Sequence, residues 1–598
     1  MNMIRVRNEI PEKYKWDLTG IYKTEAEFEA DFARAKAYIA DFAHHRDTMS
    51  KSAQGLYDAL QASTDLERVI TKLYEYAFLS SDLDKSDNKY LALSGRIMNL
   101  ANEANSASFF LSPMLVKIKD KTLDTWYTEL PKLSEFRRTI ELIRRYRKYT
   151  LSDDKEQLLA DVGICLGTNA KVEGVFSNAD LTFGKIRDAE GKLVELTNST
   201  YVLHLTNKDR RVRRAAFKKL YATYKQFGNT FASLLGNTVK ERTTLAKIRG
   251  FKSSIEASTF NDEVTPVIYN NLIDTINRNM QVVYDYFDLK KAVLGLPALH
   301  MYDLYTPLIP DCTKEYSFDE AVETVIDTVR ILGDEYAGTL EDGIKNRKWV
   351  DVYPTKGKRG GAYSAGCYDT QPYILLNYNE KINDVSTLAH EAGHSMHSYY
   401  SRKNNTPQES DYTIFVAEVA STVNELLFCH KMLRESSSRE EKLSILNQLM
   451  ETYKGTLYRQ TMFAEFERDI HAMTESGITL TQESLCDTYY NIVKKYFGKS
   501  VVCDKEIALE WMRIPHFYRS FYVYKYATCI SAASAIVHRI ENEGEAYIKQ
   551  YLAFLSCGGR ISPLDSLKVA GIDMADPSVV DAAISDFKEA IEMFKALY

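Results

Sequence analysis

In the segment NDVSTLAHEAGHSMHSYYSR, two histidines stand four residues apart with a glutamate directly after the first: His390, Glu391 and His394. Four residues advance an α-helix by slightly more than one turn, so both imidazoles project from one face and can share a single zinc ion. Glu391 leans over the same site without being a ligand, placed to take a proton from zinc-bound water. A catalytic zinc needs a third protein ligand and an open position, and a carboxylate from a second helix is a common solution. FVAEVASTVNELLF offers one. Glu418 follows His394 after 23 intervening residues, enough to finish one helix, turn through NNTPQES and enter another. Glu418, Ser421, Thr422 and Glu425 share a face of that second helix, so Glu425 reads either as a residue orienting a ligand histidine or as a surface salt bridge. His397, one turn beyond His394, extends the pattern to HExxHxxH. The later glycine and histidine of metzincins are missing, which favours packing or support over ligation. Cys367 and Cys429 lie near the motif and read as inert buried thiols.

The elements that must hold these groups follow from periodicity. WVDVYP, GGAYSAG and PYILLNYN, just before the motif, are short, rich in β-branched and aromatic residues, and separated by turn residues, which predicts a sheet of at least three strands. Asn383 or Asp384 is then placed to cap the motif helix. The glycines at 357, 360 and 361 fit either a hairpin turn or a close approach to a bound peptide, and the sheet edge offers main-chain pairing to an extended ligand. From Thr24 to about Lys148 apolar residues recur three and four apart, predicting antiparallel helices. LTFGKIRDAEGKLVELTNSTYVLHL instead alternates about Ala189-Glu190-Gly191 and predicts a hairpin. A boundary is placed there, giving a helical domain over 1–200 and a catalytic domain over 201–598. The latter is again mostly helical, with a proline-bearing connection at LGLPALHMYDLYTPLIPDC. The fold class expected is mainly α, with a small sheet beside the HExxH helix in the manner of zincins.

HEAGH with its glutamate 23 residues on, the amino-terminal KYKWDLTGIYK and the late IPHFYRSFYVYKYAT together resemble the oligoendopeptidase F group of the thimet-oligopeptidase-like zinc peptidases, over nearly the whole chain. The resemblance implies a two-lobed helical ellipsoid around a deep substrate channel, with zinc at its floor, that admits only short unfolded peptides. It also implies that His390, His394 and Glu418 bind one zinc ion per chain and that Glu391 is the general base. In IPHFYRSFYVYKYAT it assigns His516, Tyr522 and Tyr526 to the substrate carbonyl and the tetrahedral oxyanion. Read as a helix, the segment puts Tyr518, Tyr522 and Tyr526 on one face and Tyr524 elsewhere. A phenol aimed at developing negative charge can supply a few kcal/mol of transition-state stabilisation.

Composition removes other classes. The net charge is −6 over 598 residues, which argues against nucleic acid or an anionic membrane as partner. The basic run RRVRRAAFKK at 210–219 reads as a solvated helix face. Glycine and proline are scarce, at 27 and 13 residues, which disfavours an all-β fold. Eight scattered cysteines without a CxxC pair, no signal-peptide core and no long apolar run lead to the expectation of a cytoplasmic protein with reduced thiols. The expected activity is zinc-dependent hydrolysis of internal bonds in short oligopeptides. The rivals are a peptidyl-dipeptidase or carboxypeptidase of similar HExxH-plus-glutamate type, and a peptide-binding scaffold whose zinc is structural and closed by four protein ligands. The number of copies in the assembly stays open.

Overall fold

The computed structural model describes residues 5–163, 165–310 and 314–598, so Cys312 lies outside the described residues. The chain is predominantly helical and divides into two compact units, each gathered from three separate stretches. The first comprises Met1–Lys148, Thr313–Lys431 and Ile536–Gly571; the second comprises Tyr149–Cys312, Met432–Ala535 and Ile572–Tyr598. The sequence-based boundary near residue 200 falls inside the second unit.

In the first unit, Ser52 caps the long helix Ala53–Leu83 by accepting from the Gly55 amide at 3.1 Å. Its apolar stripe, with Leu56, Leu60, Leu73 and Ala77, packs with the helices Glu25–Asp41 and Asn88–Ser108. The same core continues into a three-stranded sheet through Tyr373 and Leu375. There Tyr373–Leu375 is central, parallel to Val350–Asp351 and antiparallel to Tyr363–Ala365. The three strands coincide with the three extended segments read from the sequence. The KYKWDLTG segment covers this sheet: Trp16 packs edge-on against Tyr373, whose hydroxyl donates to the Asp17 carbonyl at 3.1 Å. Gly357 (φ +83°) makes a turn against Asp84, whose Oδ1 would lie 2.1 Å from a Cβ there, so packing against its own chain accounts for this glycine.

In the second unit the hairpin forms between Lys185–Arg187 and Leu193–Glu195, but it is shorter than the alternation predicts. The following NSTYVLHL is a helix, Asn198–Leu205, because Thr197 and Thr200 exchange side-chain and main-chain hydrogen bonds in a capping box. The basic run also differs from a plain solvated face. Arg213 is buried, and both it and Arg210 pair with the buried carboxylate of Asp303, at 2.8 and 2.7 Å. A short parallel pair, Leu299–His300 with Val501–Val502, was not apparent from the sequence.

Candidate active site

The motif helix spans Ile382–Asn404 and starts slightly earlier than the sequence suggests. Asp384 acts from inside the first turn rather than as the cap, accepting from the main-chain amides of Lys381 and Asn379 at 2.9 and 3.0 Å. The second helix spans Ile414–Glu435. The two come very close at Gly393, where a Cβ would lie 2.5 Å from the Ala420 carbonyl oxygen and 2.6 Å from the Ser421 Cα. Only a residue without a side chain allows that approach.

The close approach brings the donors together. Glu418 Oε2 lies 3.3 Å from His390 Nε2 and 3.3 Å from His394 Nε2. Two ligands at tetrahedral positions around a zinc ion, each about 2.0–2.1 Å from the metal, are separated by about 3.3–3.4 Å, so the spacing fits that ion. The three side chains stay partly open, with 27%, 19% and 31% of their surfaces exposed. Among the described residues no fourth histidine, cysteine or carboxylate joins the group. Such a donor set leaves a position for water or substrate, unlike a sealed structural site.

The surrounding groups are asymmetric. Glu425 Oε2 lies 3.2 Å from His390 Nδ1, leaving Nε2 to face Glu418, and Ser386 Oγ donates to Glu425 Oε1 at 3.3 Å. Burial works against a charged His390, yet its bonds to Glu418 and Glu425 outweigh burial and raise its pKa to about 10. The two histidines in turn hold Glu418 far below the ordinary carboxylate range despite its own burial. Carboxylates and imidazoles arranged this way favour positive charge at their centre. Glu391 is buried beside them, and burial, opposed by the two histidines and a main-chain hydrogen bond from Ser364, raises its pKa above the usual carboxylate value. Its Oε2 has no hydrogen-bond partner among the described residues. Ser364 also meets Ser395 of the motif helix, Oγ to Oγ 2.8 Å, which ties the edge strand Tyr363–Ala365 to that helix.

His397 takes no part in the donor group. It is buried, stacks on Tyr412 with ring centroids 3.7 Å apart, and burial lowers its pKa to about 3. Cys367 and Cys429 are buried free thiols, and burial pushes Cys367 up to about 11.

His516, Tyr522 and Tyr526 belong to the second unit, where they form their own cluster. Their ring centroids are 6.2 Å apart for His516–Tyr522, 6.3 Å for His516–Tyr526 and 5.6 Å for Tyr522–Tyr526. The segment is not the continuous helix assumed from spacing. Pro515–Tyr518 is a 3-10 turn, Phe521 is left-handed (φ +59°), and the helix Tyr524–Glu543 begins only afterwards. Tyr518 and Tyr524 are consequently buried, whereas Tyr522 and Tyr526 keep partial exposure.

The profile of peptidase family M3 matches residues 203–586, and that of oligopeptidase F matches residues 115–183. Oligopeptidase PepF of Bacillus subtilis is 40% identical over 596 residues, covering 100% of this chain and 89% of that protein. The oligoendopeptidase F homolog of Borreliella burgdorferi is 37% identical, covering 99% of each. Among solved structures, oligoendopeptidase-F from Enterococcus faecium superposes with a TM-score of 0.75 at 32% identity, covering 96% of this chain and 99% of that one.

Proposed function

The chain belongs to peptidase family M3, in its oligoendopeptidase F branch, and from that premise we propose that it is a zinc-dependent endopeptidase cleaving internal bonds of short, unfolded oligopeptides. The observation that carries this reading is the convergence of His390, His394 and Glu418 on one point with the buried acid Glu391 beside it. His390, His394 and Glu418 would hold the zinc, which when bound supplies Lewis acidity that makes a water more acidic and polarises the substrate carbonyl.

The chain's own residues perform the remaining work. Glu391 takes a proton from the attacking water as its oxygen bonds to the carbonyl carbon, then delivers that proton to the departing amine nitrogen as the C–N bond breaks. A pKa held above the ordinary carboxylate value suits an acid that must briefly keep a proton. Glu425 fixes the His390 imidazole through Nδ1. His516, Tyr522 and Tyr526 keep the oxyanion role that the family resemblance implies, and their mutual packing and partial exposure support it. Tyr363–Ala365 is the edge of its sheet, the kind of element to which an extended peptide can add itself as a further strand.

A cytoplasmic location is part of this proposal, and the seven described cysteines, all free thiols, support it. Cleavage of a mixed peptide library, read by mass spectrometry with and without a chelator, tests the whole reading. Internal cuts that vanish on chelation and return with zinc are expected. Stoichiometric zinc without any cleavage would instead favour a scaffold, and regular release of carboxy-terminal dipeptides or single residues would favour the exopeptidase rivals.

A further inference from the structure

Phe521, immediately before Tyr522, has φ +59°, a conformation that side-chain-bearing residues rarely adopt and that a bulky aromatic adopts only when its surroundings hold it there. Its main-chain amide donates to Oε1 of Glu467 at 2.9 Å. Glu467 sits on the helix Arg459–Glu475 with 1% of its surface exposed, and its other carboxyl oxygen has no hydrogen-bond partner among the described residues. A carboxyl group this deeply buried, making one hydrogen bond and that to a main chain, is costly to keep and adds no ion pair in return.

The loop is tied down on either side as well. The Ser258 hydroxyl donates to the Ser520 carbonyl at 3.3 Å, and Lys525 Nζ bonds Asp262 at 2.8 Å while lying 5.4 Å from the Tyr522 ring centroid. The Phe521 ring is buried against His471 and Tyr269, with centroids at 4.4 and 5.6 Å. All these residues belong to the second unit. Between the anchors only Tyr522 keeps part of its surface free, beside His516 and Tyr526.

We infer that Glu467 is a positioning residue for Tyr522: by gripping the Phe521 amide it maintains the left-handed turn between the 3-10 segment and the helix Tyr524–Glu543, and so sets the direction in which the Tyr522 phenol is presented to the substrate carbonyl. The inference rests on the reading of Tyr522 as an oxyanion-binding group. Burial raises the Glu467 pKa to about 8 and so favours the neutral acid, of which glutamine is a close mimic.

The test is a set of variants of the full zinc-loaded chain, assayed for kcat and KM on a fluorogenic peptide, for zinc content and for thermal unfolding. Glu467→Gln retains the acceptor and is expected to stay within about threefold of the parent in kcat. Glu467→Met removes it and is expected to lower kcat about tenfold or more, with KM and zinc content little changed, the same pattern as is expected of Tyr522→Phe. In the double variant the losses should not multiply, because both act through one phenol. If Glu467→Met does not fold, Glu467→Asp, which withdraws the acceptor by one methylene, should give a smaller loss in the same direction. Full kcat in a folded Glu467→Met or Glu467→Asp variant, or losses that multiply in the double variant, overturns the inference while leaving the endopeptidase reading intact. Full activity in Tyr522→Phe overturns the role of the tyrosine and the inference with it.

Discussion

Glu425 Oε2 stands 3.2 Å from Nδ1 of His390, on the side of the imidazole away from Glu418. A carboxylate in that position fixes which nitrogen faces the metal and makes that nitrogen a better donor. Glu425→Ala is expected to weaken zinc binding about 10–100-fold while the helical fold persists, as read by competition with a chromogenic chelator.

Glu391→Gln preserves volume but removes the proton acceptor. Turnover should fall by about 10²–10⁴-fold, while zinc stoichiometry and thermal unfolding stay near those of the parent. Retained peptidase activity in metal-replete protein would refute the assignment of Glu391.

Gly393→Ala forces a methyl group into the Ala420 carbonyl and the Ser421 Cα. Overpacking of this kind costs about 1–3 kcal/mol. The damage should appear twice, as a lowered unfolding temperature and as substoichiometric zinc, because the strained residues lie beside Glu418.

Chelation of the metal should abolish hydrolysis and leave the far-ultraviolet circular dichroism nearly unchanged. The hydrophobic core of the first unit is built from apolar side chains such as Trp16, Phe28, Leu56, Leu73 and Ile97, none of them a metal donor, so the metal is not what holds the helices. Zinc added back should restore the rate.

Glu467 makes stability depend on pH. Its pKa is raised from 4.5 to about 8 by burial, so between those values the unfolded chain ionises while the folded one stays protonated. Stability associated with this group is complete below pH 4.5, declines as pH rises and is gone above pH 8. Glu467→Gln should therefore gain stability over the parent on going from pH 5 to pH 8, by on the order of a few kcal/mol in denaturant titrations. A constant difference across that range would contradict the assignment.

What could be read beforehand was what local periodicity encodes. His390, Glu391, His394, Glu418 and Glu425 are related by steps along two helices, and the helical repeat alone decides which of them face the same way. The three strands before the motif were visible through their β-branched and aromatic runs between turn residues. Features set by distant partners were not. Gly393 lies within the motif, yet only the backbone of the other helix explains why it must be glycine. Arg213 reads as one more surface cation until Asp303, 90 residues further on, proves to be its buried partner. The left-handed Phe521 has no local signature either, since glycine or asparagine usually marks such a turn. The carboxyl group that accepts from its amide lies 54 residues upstream.

The interleaved course of the chain bears on how the protein is made. Phe554 packs against His397 of the motif helix, and Asn405 Nδ2 donates to the Ser556 carbonyl at 2.9 Å, so the donor-bearing unit is closed by residues 536–571. During synthesis the motif leaves the ribosome long before those residues, and contacts of such large sequence separation form late. Hydrolytic competence should therefore arise only after residues 536–571 have been made, and a chain truncated after residue 535 should bind zinc poorly and cleave nothing.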